Sequence, residues 1–223
     1  MKINTQEILE ELKSIVSSKT FDTILPPLIF AFINNFFTLN YALILAALTA
    51  LGLSFKRIIK KENWKYSFGG LFIVIFASTL AFLTDNASSY FLPAILSSSL
   101  LLIITVISLL LDKPIAAWAS HISRSWPLDW FWRKDIKPAY REVSIFWAVF
   151  ITLRLTIQII LFQSATPLLL AWSNILLGWP FTIIILIISY IYGIWRLKKL
   201  GGPGVEEFKN NKKPPWKGQK RGF

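Results

Sequence analysis

Arg154 stands where an arginine is costly, near the middle of an apolar run over residues 143–162. An Arg at the centre of a membrane helix costs about 2.5–3.5 kcal/mol on insertion scales, so it calls for a polar partner or water. Gln158 follows four residues later and shares its helix face. Asn34 and Asn35 interrupt the first apolar run of the chain and complete a candidate intramembrane polar cluster with Arg154 and Gln158. Asp85, Ser173 and Asn174 are further candidate partners from other runs. Two chemistries fit. The cluster binds an anion or polar solute, or Arg154 is tied to carbonyls and amides and fixes helix packing, because polar contacts inside membranes also hold helices together.

The remaining reactive residue types offer little. The chain has no Cys, hence no disulfide, no thiolate nucleophile and no Cys-based metal site. His121 is the one histidine and has no carboxylate cluster beside it, which argues against a metal there. Asp129, Asp135 and Glu142 lie among basic residues and read as solvated ion pairs. No spacing resembles a nucleophile–base set, a P-loop or a dinucleotide fingerprint. The expectation is a protein that is not an enzyme, with no catalytic residue, no cofactor and no metal.

The elements that position these residues are helices in a bilayer. Hydrophobic residues make up 54% of the 223 and charged residues 16%, whereas soluble domains are about 45–50% apolar and about 25% charged. Crossing the hydrocarbon takes about 20 apolar residues. The apolar runs fall at 21–38, 41–55, 68–84, 91–111, 143–162 and 168–195. The last three are long enough, the third is slightly short, and the first two are shorter still. Asn34, Asn35 and Asn40 argue for a break between the first two, which could form a tilted or partly re-entrant hairpin. Pro26, Pro27, Pro93 and Pro180 lie in or at the ends of these runs, where kinks are expected. The fold class is all-α: a polytopic bundle of about six transmembrane helices.

Charge sets the orientation. Of 24 basic residues, 23 lie before the first run, between the second and third, between the fourth and fifth, or after the sixth. The other connections have none, and Arg154 is the exception. The positive-inside rule then puts both termini in the cytoplasm, and an anionic inner leaflet accounts for the net charge of +12. A nucleic-acid partner is not expected, because a basic stripe on a soluble fold would not be divided by such apolar runs.

Three further segments flank the spans. Residues 1–20 place Ile8, Leu9, Leu12, Ile15 and Val16 at helical spacing, opposite Glu7, Glu10, Glu11 and Lys13; Asn4 and Glu7 have capping-box spacing. This reads as an amphipathic helix on the membrane or the bundle, or as a solvated helical leader. After Pro114 comes a segment too polar to span, with Trp118, Trp126, Trp130, Trp132 and Arg133 as candidate headgroup-layer residues of an interfacial helix and loop. Residues 197–223 carry many basic residues with Gly and Pro, and are expected to be disordered and to contact anionic headgroups or serve as a topology signal. The membrane domain proper is 21–196.

Several stretches in order resemble one family. They are Leu25-Pro26 with Phe30; Gly69-Gly70; Phe91-Leu92-Pro93; Lys113-Pro114; Trp132-Arg133 then Tyr140-Arg141; Trp147; Leu153-Arg154-Leu155 with Gln158; and Gly178-Trp179-Pro180. This is similar to the bacterial membrane family catalogued as domain of unknown function 3159, over about residues 21–195, with Arg154–Gln158 and Gly178–Pro180 its most specific parts. That family carries no activity to transfer. Pro26 with Phe30, Lys113-Pro114 and Phe146-Trp147-Ala148 are laid out as in the intracellular septation protein A family, a looser likeness. The resemblance implies a multi-pass protein of the bacterial cytoplasmic (inner) membrane. Two functions compete: a structural component that supports a membrane or envelope complex, with a membrane-protein partner or a second copy, and a small transporter or channel with a polar path at Arg154.

Overall fold

The structure, a computed structural model, describes residues 18–60, 64–219 and 222–223, with side chains over 24–60, 68–219 and 222–223. The amphipathic segment expected over residues 1–20 lies almost wholly outside them. The described residues are helical and contain no strand. In order they form α1 (Ser18–Phe36), α2 (Leu39–Ile59), α3 (Trp64–Thr84), a 3₁₀ turn (Ala87–Phe91), α4 (Leu92–Leu110), α5 (Ile115–Arg124), α6 (Leu128–Phe131), α7 (Lys137–Gln163), α8 (Pro167–Leu176), α9 (Trp179–Leu200) and α10 (Val205–Lys209).

Four helical stretches among the described residues are long and apolar enough to cross a membrane: Leu39–Ile59, Ala87–Leu110, Lys137–Gln163 and Pro167–Leu200. Ile24–Phe36 and Phe68–Thr84 are apolar but shorter. The second apolar run, expected to be short at 41–55, is in fact extended at both ends. Leu39 and Asn40 start it, and Lys56 to Ile59 continue the helix past the apolar limit. A basic last turn suits a helix C-terminus, where the macrodipole favours cations. The four long stretches expose most of their apolar side chains, an arrangement suited to lipid and not to water. This is a multi-pass membrane protein.

The chain divides into two compact units, Met1–Ser97 with Thr156–Phe181, and Ser98–Leu155 with Thr182–Phe223. In the first, Ala42 and Ala46 on α2 share a core with Ala77 and Ala81 on α3. Small side chains let membrane helices approach closely, because dispersion replaces the hydrophobic effect as the main attraction. The expected break after the Asn pair falls at Phe37–Thr38, where α1 gives way to α2. The 3₁₀ turn places Tyr90 flat against Phe30, with ring centroids 4.0 Å apart, and Phe91 edge-on at 6.1 Å. Leu170 and Ala171 of α8 close this core.

The second unit has an aromatic core. Trp130, Phe131 and Tyr140 are fully buried with Ala116, Ala117, Ile136, Ala139, Val143, Leu197 and Val205. Pro114 precedes α5 as expected of a helix start, and Ser125 ends it in a left-handed conformation. Trp130 is buried and donates its indole N–H to the Pro203 carbonyl at 2.9 Å. Trp118 is partly exposed, while Trp126 and Trp132 are half-buried. The reading of all four as headgroup-facing is therefore corrected for Trp130. On α6 it turns inward, where the C-terminal segment supplies a carbonyl for its N–H.

Residues 201–219 and 222–223 also depart from expectation. Too few apolar residues suggested disorder, yet Gly202, Pro203, Gly204 and Val205 are buried. The segment contributes Val205 and Phe208 to the aromatic core, and Phe223 stacks on Tyr140 at 4.3 Å. It needs no core of its own because it borrows one.

Candidate functional site

Arg154 and Gln158 stand one turn apart on α7. Gln158 is completely buried and donates from Nε2 to Asn174 Oδ1 at 2.7 Å. Asn174 in turn donates from Nδ2 to the Leu170 carbonyl at 2.9 Å. Gln158 Oε1 is buried with no donor among the described residues. Among the predicted site residues, Gln158 is therefore joined to Asn174, one of the further candidate partners. Asn34 is half-buried and Asn35 exposed in the last turn of α1, and no hydrogen bond joins either to Gln158 or Asn174. Arg154 is half-buried, and its Nε is buried without a hydrogen-bond partner among the described residues.

Asn174 belongs to a broken helix. The run expected as one span over 168–195 is two helices, α8 and α9, interrupted at Leu177–Gly178. A Cβ on Gly178 would overlap the Asn174 carbonyl oxygen, so only glycine lets the chain pass so close. Pro180 in the first turn of α9 has no N–H to return to α8. The Gly178-Trp179-Pro180 motif thus has a local cause: it ends one helix and begins another beside the Gln158–Asn174 amide pair.

The second polar constellation ties the charged ends of the helices in the second unit. Arg196 on α9 grips Glu142 on α7 with two nitrogens, Nε to Oε2 and Nη2 to Oε1, both at 2.7 Å. Tyr192 donates to the same carboxylate at 2.6 Å. Trp147 donates to Ser189 Oγ at 2.9 Å, and that hydroxyl donates back to the Ile185 carbonyl. Asp112 receives Lys137 and, at 3.5 Å, Arg141. The hydrogen bond from Lys137 holds the Asp112 carboxyl below its ordinary pKa. Arg133 forms a two-point pair with Asp135, at 2.9 and 2.8 Å, and its guanidinium lies 5.3 Å from the Trp216 ring centre. The hydrogen bond to Asp135 raises the Arg133 pKa. These contacts make Arg133 an internal fastener.

Glu207 was not singled out by sequence reasoning. Its carboxylate accepts backbone N–H bonds from Gly204 at 2.9 Å, Lys217 at 2.8 Å and Gly218 at 3.0 Å. Those donors, Gly204 first, lower its pKa. Gln219 Oε1 accepts from Val205 N–H, and Gly222 N–H donates to Tyr190. The signal for this segment was present as Gly204 three residues before Glu207, a helix-start spacing. It was masked by the surrounding Gly, Pro and Lys.

His121 Nδ1 lies 2.5 Å from the Trp126 carbonyl oxygen, so that nitrogen carries the proton and the ring closes the α5–α6 turn. Among the described residues no group of His, Asp and Glu could hold a metal ion.

No curated protein and no solved structure matches the chain, so nothing adds to the looser likeness to septation protein A. Residues 17–198 match the family described as protein of unknown function (DUF3159). That stretch contains the Gln158–Asn174 pair, the broken helix α8–α9 and most of the aromatic core, and it covers well over half of the sequence. The chain belongs to this family.

Proposed function

We propose that this is a six-span protein of the bacterial cytoplasmic membrane, with both ends in the cytoplasm, that supports a membrane or envelope complex without catalysing a reaction. The four long apolar helices, the two shorter ones and the confinement of 23 of 24 basic residues to alternate connections support the topology. The observation that carries the function is the cap around Trp130, Phe131 and Tyr140. It is a folded body with its own core, and it presents Lys134, Lys198, Lys199, Lys209, Lys212, Lys213 and Lys217 as exposed cations. A fixed basic surface suits anionic headgroups or the acidic face of a membrane-protein partner, a second copy included. Reversing Lys198, Lys199, Lys212 and Lys213 to Glu tests this. The size of the complex extracted in mild detergent should fall while abundance and thermal stability hold. An unchanged complex would count against the proposal.

Transport is the second reading. It draws on the buried, undonated Gln158 Oε1 and on Asn174 beside the helix break, since discontinuous helices line solute sites in many transporters. Arg154→Ala separates the two in proteoliposomes. Loss of a solute flux with unchanged melting supports transport. Lowered melting with no flux in the parent protein supports the structural role.

A further inference from the structure

The α2–α3 hairpin is closed at one end and open at the other. Ala42, Ala46, Ala50, Val74, Ala77 and Ala81 are buried along the closed part. Toward the basic end the two helices border a groove of about 470 Å³ lined by Leu51, Gly52, Ser54, Phe55, Ile58, Phe68 and Leu71. A Cβ on Gly52 would meet nothing within 4 Å. Its volume falls in the range of small-ligand sites, about 300–1,000 Å³. Its lining is almost wholly apolar, and the groove lies within apolar helices, so an alkyl chain is the chemistry that fits.

The mouth has a different chemistry. On α2, residues four apart form one row along the helix surface. Gly52 in the groove is followed along that row by Lys56 and then Lys60, both exposed. Ser54 is followed by Arg57 one turn on. An apolar slot thus leads to three cations at the helix end, where hydrocarbon meets headgroups. We infer that the α2–α3 groove is a binding site for one anionic phospholipid, with an acyl chain between Leu51, Phe55, Phe68 and Leu71 and the phosphate at Lys56, Arg57 and Lys60. The site does not involve the cap. It rests on the proposed topology only for the leaflet, which is the cytoplasmic one.

The test is native mass spectrometry of the full-length protein released from nanodiscs of equal phosphatidylglycerol and phosphatidylcholine. The parent chain should retain phosphatidylglycerol in preference. Lys56→Gln, Arg57→Gln and Lys60→Gln should each weaken retention by about fivefold, the effect of one basic residue at an anionic surface. Gly52→Leu should displace the lipid by filling the groove, where the open space accepts the larger side chain without disturbing the fold. Equal retention of both lipids by the parent, or unchanged retention by Gly52→Leu, overturns the site. So does cross-linking of Ser54→Cys to Ser54→Cys of a second copy, which would make the groove a protein interface. Topology is read separately by cysteine labelling, so an error in leaflet and an error in the site give different results.

Discussion

At the scale of single residues, the polar atoms of α7 divide into those with a partner, such as Gln158 Nε2, and those without one among the described residues, such as Gln158 Oε1 and Arg154 Nε. Gln158 and Asn174 share a hydrogen bond in an apolar setting. Such bonds inside membranes average about 0.6 kcal/mol and reach about 1.7, while a buried group left unsatisfied costs about 1–3 kcal/mol. Gln158→Leu leaves Asn174 Oδ1 without a donor, so it should lower unfolding stability by about 1–2 kcal/mol. The double variant Gln158→Leu with Asn174→Leu should recover part of that loss. A denaturation series in mild detergent measures the coupling, and strict additivity would show that the pair is not energetically joined. Glu207 makes a pH-dependent contribution of definite sign. Its folded pKa is lowered, so its stabilisation of 204–218 is present above the unfolded carboxylate value and is lost as pH falls toward the folded one. Protease cleavage within 209–217 should therefore rise as pH drops below about 4.3, the ordinary Glu value. Glu207→Gln should show faster cleavage already at neutral pH, and no difference there would remove Glu207 from this role.

At the scale of elements, the cap depends on how α6, α7, α9 and the C-terminal segment meet. Gly193 of α9 admits the Phe223 ring, which a Cβ would overlap. Gly193→Val should expel Phe223 from Tyr140 and leave the helices intact, seen as unchanged helicity with faster proteolysis after residue 209. Trp130→Phe keeps an aromatic side chain but removes the pyrrole part of the indole with the N–H given to Pro203. The expected cost is about 1–3 kcal/mol, because the Pro203 carbonyl stays buried without its donor. A loss below that range would mean water reaches the carbonyl. Elements were legible where one physical rule dominated. Apolar length marked the long helices, and Pro114 marked the start of α5. The break inside 168–195 was less so. Gly178 and Pro180 were visible, but only the approach of the Asn174 carbonyl shows why the helix stops there.

At the scale of the whole molecule, the proposal is a topology, and the absence of native Cys makes it directly measurable. Single cysteines at Asn86 and Ser164 should react with an impermeant reagent in intact cells. Cysteines at Lys134 and Lys212 should react only after the membrane is opened. Reversed labelling at either pair would mean that one of the shorter helices fails to cross or that the orientation is wrong. Arg154 bears on this scale as well. It is the one basic residue outside the alternating pattern, and its buried Nε makes no hydrogen bond among the described residues. The expected ties to carbonyls or amides are not made by this atom, so the choice between packing and solute binding falls to the flux and melting experiments.

The sequence by itself determined that this is a helical membrane protein and which family it resembles. Both follow from properties that are local along the chain: apolar length, charge alternation and short motifs such as Gly178-Trp179-Pro180. Tertiary structure decided what the polar and aromatic residues do. Trp130 looks like any interfacial Trp until the Pro203 carbonyl, far along the chain, takes its N–H. Glu207 and Phe223 lie in a segment whose composition reads as disorder, yet Glu207 gathers three backbone donors and Phe223 fills a slot opened by a distant glycine. Arg154 was found as the lone cation of an apolar run and Gln158 by its spacing from it, but Gln158 turned to Asn174 and not to the Asn34–Asn35 pair. Such partners come from remote parts of the chain, and burial makes their geometry decisive, because a polar atom removed from water must find its partner within the fold.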